Sequence, residues 1–191
     1  MAGLDSPRRR VALFFGSFNP LHVGHYEIMR HVLANGDADE LRLVVTPKNP
    51  SGKADLADAN VRLENARRAI RRRRLNVTVS DVEFHLPEPT YTIQTLEYLD
   101  RTEPDAQHIL VIGADCLASL QCWYRYQDLI DNYEIWVYPR AGVDLESECA
   151  RHNAASTLKR IIPLNGPLWD ISSTRIRQAE RSGDDVSAWK M

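Results

Sequence analysis

The 191-residue chain predicts an α/β fold, a doubly wound parallel sheet of about five to six strands with helices on both faces. Three observations predict it. Short, wholly apolar runs recur along the chain and stop at glycine or proline. Helical patterns of apolar residues separate these runs. Two runs open into loops led by Gly16 and Gly113, and a doubly wound sheet binds its ligands at such strand ends.

Residues 1–10 read as a mobile polar tail and residues 11–191 as a single domain. The basic residues 8–10 before the apolar 11–15 resemble part of a secretory signal. The apolar stretch is short, however, no small-residue cleavage site follows, and Asn19-Pro20 interrupts it. The first strand is 11–15, ended by Gly16. The first helix is 23–35, with Ile28, Met29, Val32 and Leu33 on one face. A second strand, 41–45, is stopped by Pro47, and 46–58 reads as a long, polar, mobile loop. A helix over 59–73 places Val61, Leu63, Ala66 and Ile70 together. Its basic end, 71–74, suits solvent and the helix dipole. Residues 77–82 alternate weakly as a third strand, and a helix follows at 92–101. The fourth strand, 109–112, ends at Gly113. A short helix at 124–131 leads to the fifth strand, 135–138, ended by Pro139. Residues 142–158 read as a surface excursion, 161–162 as the start of a short sixth strand, and 173–182 as a last helix closed by Gly183.

Composition narrows the function classes. Apolar residues make up 43%, enough for a sizeable core, and the formal net charge of −2 argues against a dedicated nucleic-acid binder. The three cysteines, Cys116, Cys122 and Cys149, are odd in number and form no CxxC pair. That opposes a disulfide framework or zinc ribbon and suits reduced thiols in a cytoplasmic protein. No apolar run approaches the roughly 18 residues of a membrane-spanning helix.

Residues 16–25 read Gly16-Ser17-Phe18-Asn19-Pro20-Leu21-His22-Val23-Gly24-His25. A turn leaves the strand and a helix starts near His22. Histidines three apart share a face on the first helical turn. Unpaired backbone N–H groups and the helix dipole favour an anion there, and imidazole donors add to it. Gly24 removes a side chain where a ligand must come close. Two other readings stand beside the phosphate site: metal ligation, for which no Cys, Asp or Glu lies between the histidines, and a structural role in hydrogen bonding.

Near the other end stands Ile171-Ser172-Ser173-Thr174-Arg175-Ile176-Arg177. One hydroxyl at a helix start is an ordinary N-cap; three exceed that need. With Arg177 on the face of Thr174, they make a second anion site at a second helix start, while Arg175 points elsewhere. Two such sites suit a triphosphate.

The pair GSFNPxHxGH and SSTxIR resembles the nucleotidyltransferases with a Rossmann-like fold. Across nearly the whole chain the sequence is similar to the bacterial nicotinate-nucleotide adenylyltransferases among them. Pro89-Thr90-Tyr91-Thr92-Ile93-Gln94-Thr95-Leu96, Gly113-Ala114-Asp115, Trp123, Tyr138-Pro139-Arg140-Ala141-Gly142, and Thr46-Pro47-Lys48-Asn49-Pro50 with Lys53 match further family segments. Gln94 stands where the family usually has an acid and Ala141 where it has a proline. The resemblance implies adenylyl transfer from ATP, carried with Mg2+, to nicotinate mononucleotide, giving deamido-NAD and pyrophosphate in NAD biosynthesis. It implies that His22, His25, Lys53 and Arg177 serve the reaction, with Lys48 the competitor of Lys53. Gly16, Ser17, Phe18, His22, His25, Gly113, Asp115, Ser173, Thr174 and Arg177 would hold ATP. Asn19, Lys53, Tyr91, Thr92, Trp123 and Arg140 would hold the mononucleotide. No protein metal ligand, nucleic acid or membrane is expected, and the chain would be a monomer or homodimer. Nicotinamide mononucleotide or phosphopantetheine as acceptor, or a non-catalytic nucleotide sensor of the same fold, are the alternatives. Asp115 as an N-cap, and Tyr91 and Trp123 as core aromatics, are the structural alternatives for single residues.

Overall fold

The computed structural model describes residues 8–48 and 56–191. Six strands form one sheet: β1 (Arg9–Gly16), β2 (Glu40–Val45), β3 (Val77–Ser80), β4 (Ala106–Gly113), β5 (Glu134–Tyr138) and β6 (Ile161–Pro163). All pairings are parallel, in the order β3-β2-β1-β4-β5-β6. The order reverses between β1 and β4, so Gly16 and Gly113 both end strands at the switch point.

The continuous apolar runs follow from burial on both faces. Along β1, Val11 and Leu13 enter one core, with Ile93, Leu96, Leu117 and Leu129. Ala12 and Phe14 enter the other, with Ile28, Met29, Leu63 and Ile70. A strand with helices on both sides has no solvated face to supply polar alternation.

The helices are α1 (Val23–Asn35), α2 (Ala59–Arg73), α3 (Thr92–Thr102), α4 (Ala114–Ala118), α5 (Tyr126–Asn132), α6 (Leu145–Ala155) and α7 (Ser173–Arg181). The bounds of α1 and α2 agree with those expected from periodicity. The faces differ by a residue: Leu33 and Val61 are exposed, and the buried stripe of α2 runs through Arg62, Leu63, Ala66, Ala69 and Ile70. The basic run does close α2 in solvent, with Arg74 as a left-handed cap at φ 52°.

Two expectations are corrected. Arg9 and Arg10, assigned to the tail, already belong to β1, where Arg9 pairs with Glu40 and Glu103 and Arg10 with Glu134. Their charge hid a strand whose amino end needs ion-pair partners rather than an apolar face. The excursion at 142–158 contains α6. Asp144 caps it by accepting from the Ser147 N–H at 3.1 Å, and its buried face is Cys149 and His152. The apolar stripe is too thin to register because His152 fills an inner position through a 3.0 Å hydrogen bond between its Nε2 and the Leu117 carbonyl.

Candidate active site

The first segment of the site follows from where β1 stops. A Cβ on Gly16 would lie 2.8 Å from the Phe18 ring, so the turn needs glycine there. Phe18 is itself a non-glycine residue at φ 45°, with a buried ring. His22 takes the N-cap of α1, and its backbone N–H donates to Nδ1 of His25 at 3.3 Å. The two imidazoles stack with centroids 3.7 Å apart, and the Phe18 ring meets His25 edge-on at 5.1 Å. Nδ1 of His25 is thereby engaged as an acceptor at the start of α1.

His22 is 1% exposed. Burial, and then the positive charge of Arg140, push its pKa down to about 4, so the ring is neutral at neutral pH. Its buried Nδ1 has no hydrogen-bond partner. A buried lone pair costs less to leave unpaired than a buried N–H, which places the proton of this ring on Nε2. His25 is the more accessible ring of the pair. The space at Gly24 is not held open: a Cβ there would lie 2.7 Å from Ile171 and 3.1 Å from the His22 ring. Gly24 therefore lets the segment before the closing motif dock on α1.

That docking brings together motifs some 150 residues apart. Ser172 caps α7, its Oγ accepting from the Arg175 N–H at 3.2 Å. Ser173 Oγ donates to the Pro20 carbonyl at 3.0 Å, and Arg177 donates to the Asn19 carbonyl at 2.7 Å and to Thr174 Oγ1 at 3.3 Å. Arg175 turns away, onto the exposed Asp170 at 2.6 Å. The α7 hydroxyls and Arg177 thus sit against the turn that ends in the two histidines.

Gly113 is the N-cap of α4, and Asp115 lies in its first turn, so Asp115 is not the capping residue. A Cβ on Gly113 would lie 2.4 Å from Asp115 Oδ1. Arg140, just past β5, holds Nε 3.6 Å from that oxygen, beyond hydrogen-bond length, and this nitrogen is buried without a partner. The charge of Arg140 also acts on His22, which ties the end of β5 to the start of α1 across the switch point.

Tyr91 is the N-cap of α3 and Thr92 its first residue. Gln94 Oε1 accepts from the Tyr91 N–H at 3.4 Å, a capping contact that a glutamine makes as an acid would. Tyr91 and Trp123 are both half-buried against the same core, and the Tyr91 ring lies 4.5 Å from that of Tyr124. The sequence reading does not include Tyr124, for which a tyrosine directly after Trp123 is the one available signal. Lys48 is exposed and pairs with Glu88 at 2.9 Å. Lys53 lies outside the described residues.

Two further groups at this end of the sheet escaped the sequence reading. Arg62 is 2% exposed and donates to the carbonyls of Ala57, Ser17, Thr46 and Pro47. Its signal was an arginine on the apolar stripe 62-66-69-70. Glu83 is buried and accepts from Thr95 Oγ1 at 2.9 Å; desolvation raises its pKa above the usual carboxylate value, against the hydrogen bonds of Thr46 and Thr95. Among the described residues, no group of three or more His, Cys, Asp or Glu could hold a metal ion. No helix among them is long and apolar enough to cross a membrane.

Comparison with known proteins gives a consistent result. Residues 13–179 match the cytidylyltransferase-like family. A relative in Flavobacterium johnsoniae, named "probable nicotinate-nucleotide adenylyltransferase", is 36% identical over 93% of this chain and 89% of its own length. Relatives of the same name in Bacteroides fragilis and Thermotoga petrophila are each 34% identical, over 94% of this chain and 86% and 90% of theirs. Among solved structures, the nicotinic acid mononucleotide adenylyltransferase of Plasmodium falciparum complexed with NaAD superposes with a TM-score of 0.74 at 18% identity. The match covers 94% of this chain and 87% of that one, which shows a shared fold.

Proposed function

The chain belongs to the cytidylyltransferase-like family and to its nicotinate-nucleotide adenylyltransferases, and from that premise we propose that it transfers the adenylyl group of ATP to nicotinate mononucleotide. A phosphate oxygen of the mononucleotide attacks the α-phosphorus of ATP. The new P–O bond completes deamido-NAD, a precursor of NAD, as the bond to the β-phosphate breaks and pyrophosphate leaves. The attacking oxygen is already anionic at neutral pH, so no general base is needed. The protein has to align two anions and stabilise the charge that grows between them.

The observation that carries this reading is the bonding of Ser173 and Arg177 to the Pro20 and Asn19 carbonyls. It sets two anion-attracting helix starts, α1 and α7, around one crevice, which suits a triphosphate. We assign His25 to the reacting phosphoryl, and neutral His22 to support beside it. Thr174, Ser173 and Arg177 would take the β- and γ-phosphates, although the Ser173 proton is committed to Pro20 in this structure. Gly16, Phe18 and Gly113 would line the ATP side, with Asp115 toward ribose hydroxyls. Magnesium would arrive on the phosphates it screens, with water completing its shell. Trp123 and Tyr91 would flank the pyridine ring, Arg140 and Asn19 would face the mononucleotide, and the start of α3 at Thr92 would favour a carboxylate over an amide. Lys53 would meet the phosphates from its loop, since Lys48 is already paired with Glu88.

The test is pyrophosphate release with ATP, magnesium and one acceptor at a time: nicotinate mononucleotide, nicotinamide mononucleotide or phosphopantetheine. Fastest release with the nicotinate form is expected. Equal or greater turnover of the amide would overturn the acceptor preference. ATP binding without release for any acceptor would mark a nucleotide sensor.

A further inference from the structure

Arg62 is a buried cation whose hydrogen bonds, among the described residues, go to no carboxylate. Its four hydrogen-bond acceptors are carbonyls: Ala57 at 2.9 Å, Ser17 at 2.6 Å, Thr46 at 2.8 Å and Pro47 at 2.5 Å. These belong to three stretches of chain, the turn after β1, the exit of β2 and the approach to α2. A guanidinium forks to several acceptors at once; an ammonium of similar charge does not reach the same set.

The Ser17 contact has a directional consequence. The Ser17–Phe18 peptide is not among the cis bonds, and the C=O and N–H of a trans peptide point opposite ways. Drawing the Ser17 carbonyl onto α2 turns the Phe18 N–H away from α2. Phe18 is held there at φ 45°, a region costly for a bulky side chain, and its ring meets His25 edge-on at 5.1 Å. One guanidinium therefore governs both a backbone donor and the ring packed against His25.

We propose that Arg62 is a positioning residue for ATP: by holding the Ser17 carbonyl beside those of Thr46 and Pro47, it sets the Phe18 N–H and the His25 ring toward the triphosphate. The assignment rests on the adenylyltransferase reading for its substrate. The loss on mutation should fall most on ATP, because Arg62 bonds Ser17 within the phosphate motif directly and reaches α3 only at second hand, through Thr46, Glu83 and Thr95.

The experiment compares wild type, Arg62→Lys and Arg62→Gln in steady-state kinetics with each substrate varied, alongside thermal unfolding. For Arg62→Lys we expect kcat/KM for ATP to fall at least about tenfold, in line with a misplaced phosphate donor. The KM for the mononucleotide should stay within about twofold, and the protein should remain folded at the assay temperature. Arg62→Gln should lose more. Binding of a non-hydrolysable ATP analogue should weaken in parallel. Arg62→Lys with wild-type kcat/KM for ATP and wild-type analogue affinity would overturn the proposal, as would equal losses for both substrates. If wild type releases no pyrophosphate with any acceptor, the functional reading fails, and analogue affinity alone still decides the role of Arg62.

Discussion

The two ends of the sheet handle charge in opposite ways. At the amino end, cations meet carboxylates. Arg42 bonds Glu103 at 2.6 Å and Glu40 at 2.7 Å, Arg9 bonds both acids, and Arg10 reaches Glu134 at 2.8 Å. The network holds Glu40 and Glu103 below the usual carboxylate range, chiefly through their hydrogen bonds to Arg42. At the carboxyl end, Arg62 and Arg177 bond carbonyls, and buried atoms of His22, Thr90 and Arg140 have no hydrogen-bond partner among the described residues; near the amino end the same holds of His108 Nε2. The amino end pairs its arginines with acids and serves stability. At the carboxyl end arginines are held on neutral carbonyls, so their charge is not cancelled by a bonded acid, which suits the anionic ligand proposed there.

The sharpest break in that contrast is His25→Ala. It should cut adenylyl transfer by about 10²–10³-fold, the usual effect of losing a donor to a charge-developing centre. Its unfolding temperature should change far less than its rate, since the ring is only partly buried. A near-normal rate would remove its assigned role.

His22 sharpens the contrast through pH. With a folded pKa of about 4 against an ordinary 6.5, the unfolded chain binds its proton first as pH falls. Stability is therefore full above pH 6.5 and declines between 6.5 and 4, by up to about 3 kcal/mol. Denaturant titrations across that range should show the slope, and His22→Asn should flatten it.

At the amino end, Arg42→Met should cost roughly 2 kcal/mol, because two part-buried acids lose their charged donor. Turnover measured below the unfolding transition should not move; a selective loss of kcat would mean that the two ends are coupled. Arg9→Ala should be the weakest, within about 1 kcal/mol, as its side chain is half exposed and solvent screens its pairs. Denaturant midpoints with unchanged slopes would check both.

Legibility in the sequence follows the same division. The strands, α1 and α2 could be read because burial on both sheet faces leaves unbroken apolar runs and simple helical stripes. The loops at Gly16 and Gly113 could be placed at the switch point for the same reason. Helix α6 could not, since one of its two inner residues is a histidine. Arg62 and Glu83 could not either: both are charged residue types whose usual place is solvent, and only their partners explain their burial.

By itself, then, the sequence determined the alternation of elements, the two anion motifs and the family they resemble, because local periodicity and short-range spacing carry that information. It also brought His22 and His25 together at a helix start, where the structure makes His22 the extended N-cap and puts only His25 inside the first turn. Tertiary structure alone decided that Gly24 admits Ile171, that Arg177 and Ser173 clasp the turn carrying the histidines, and that Arg62 gathers three loops onto one buried charge. Each of those is a contact between segments far apart in the chain. Such contacts depend on which carbonyls are left without partners once the sheet has formed, and no local pattern records that.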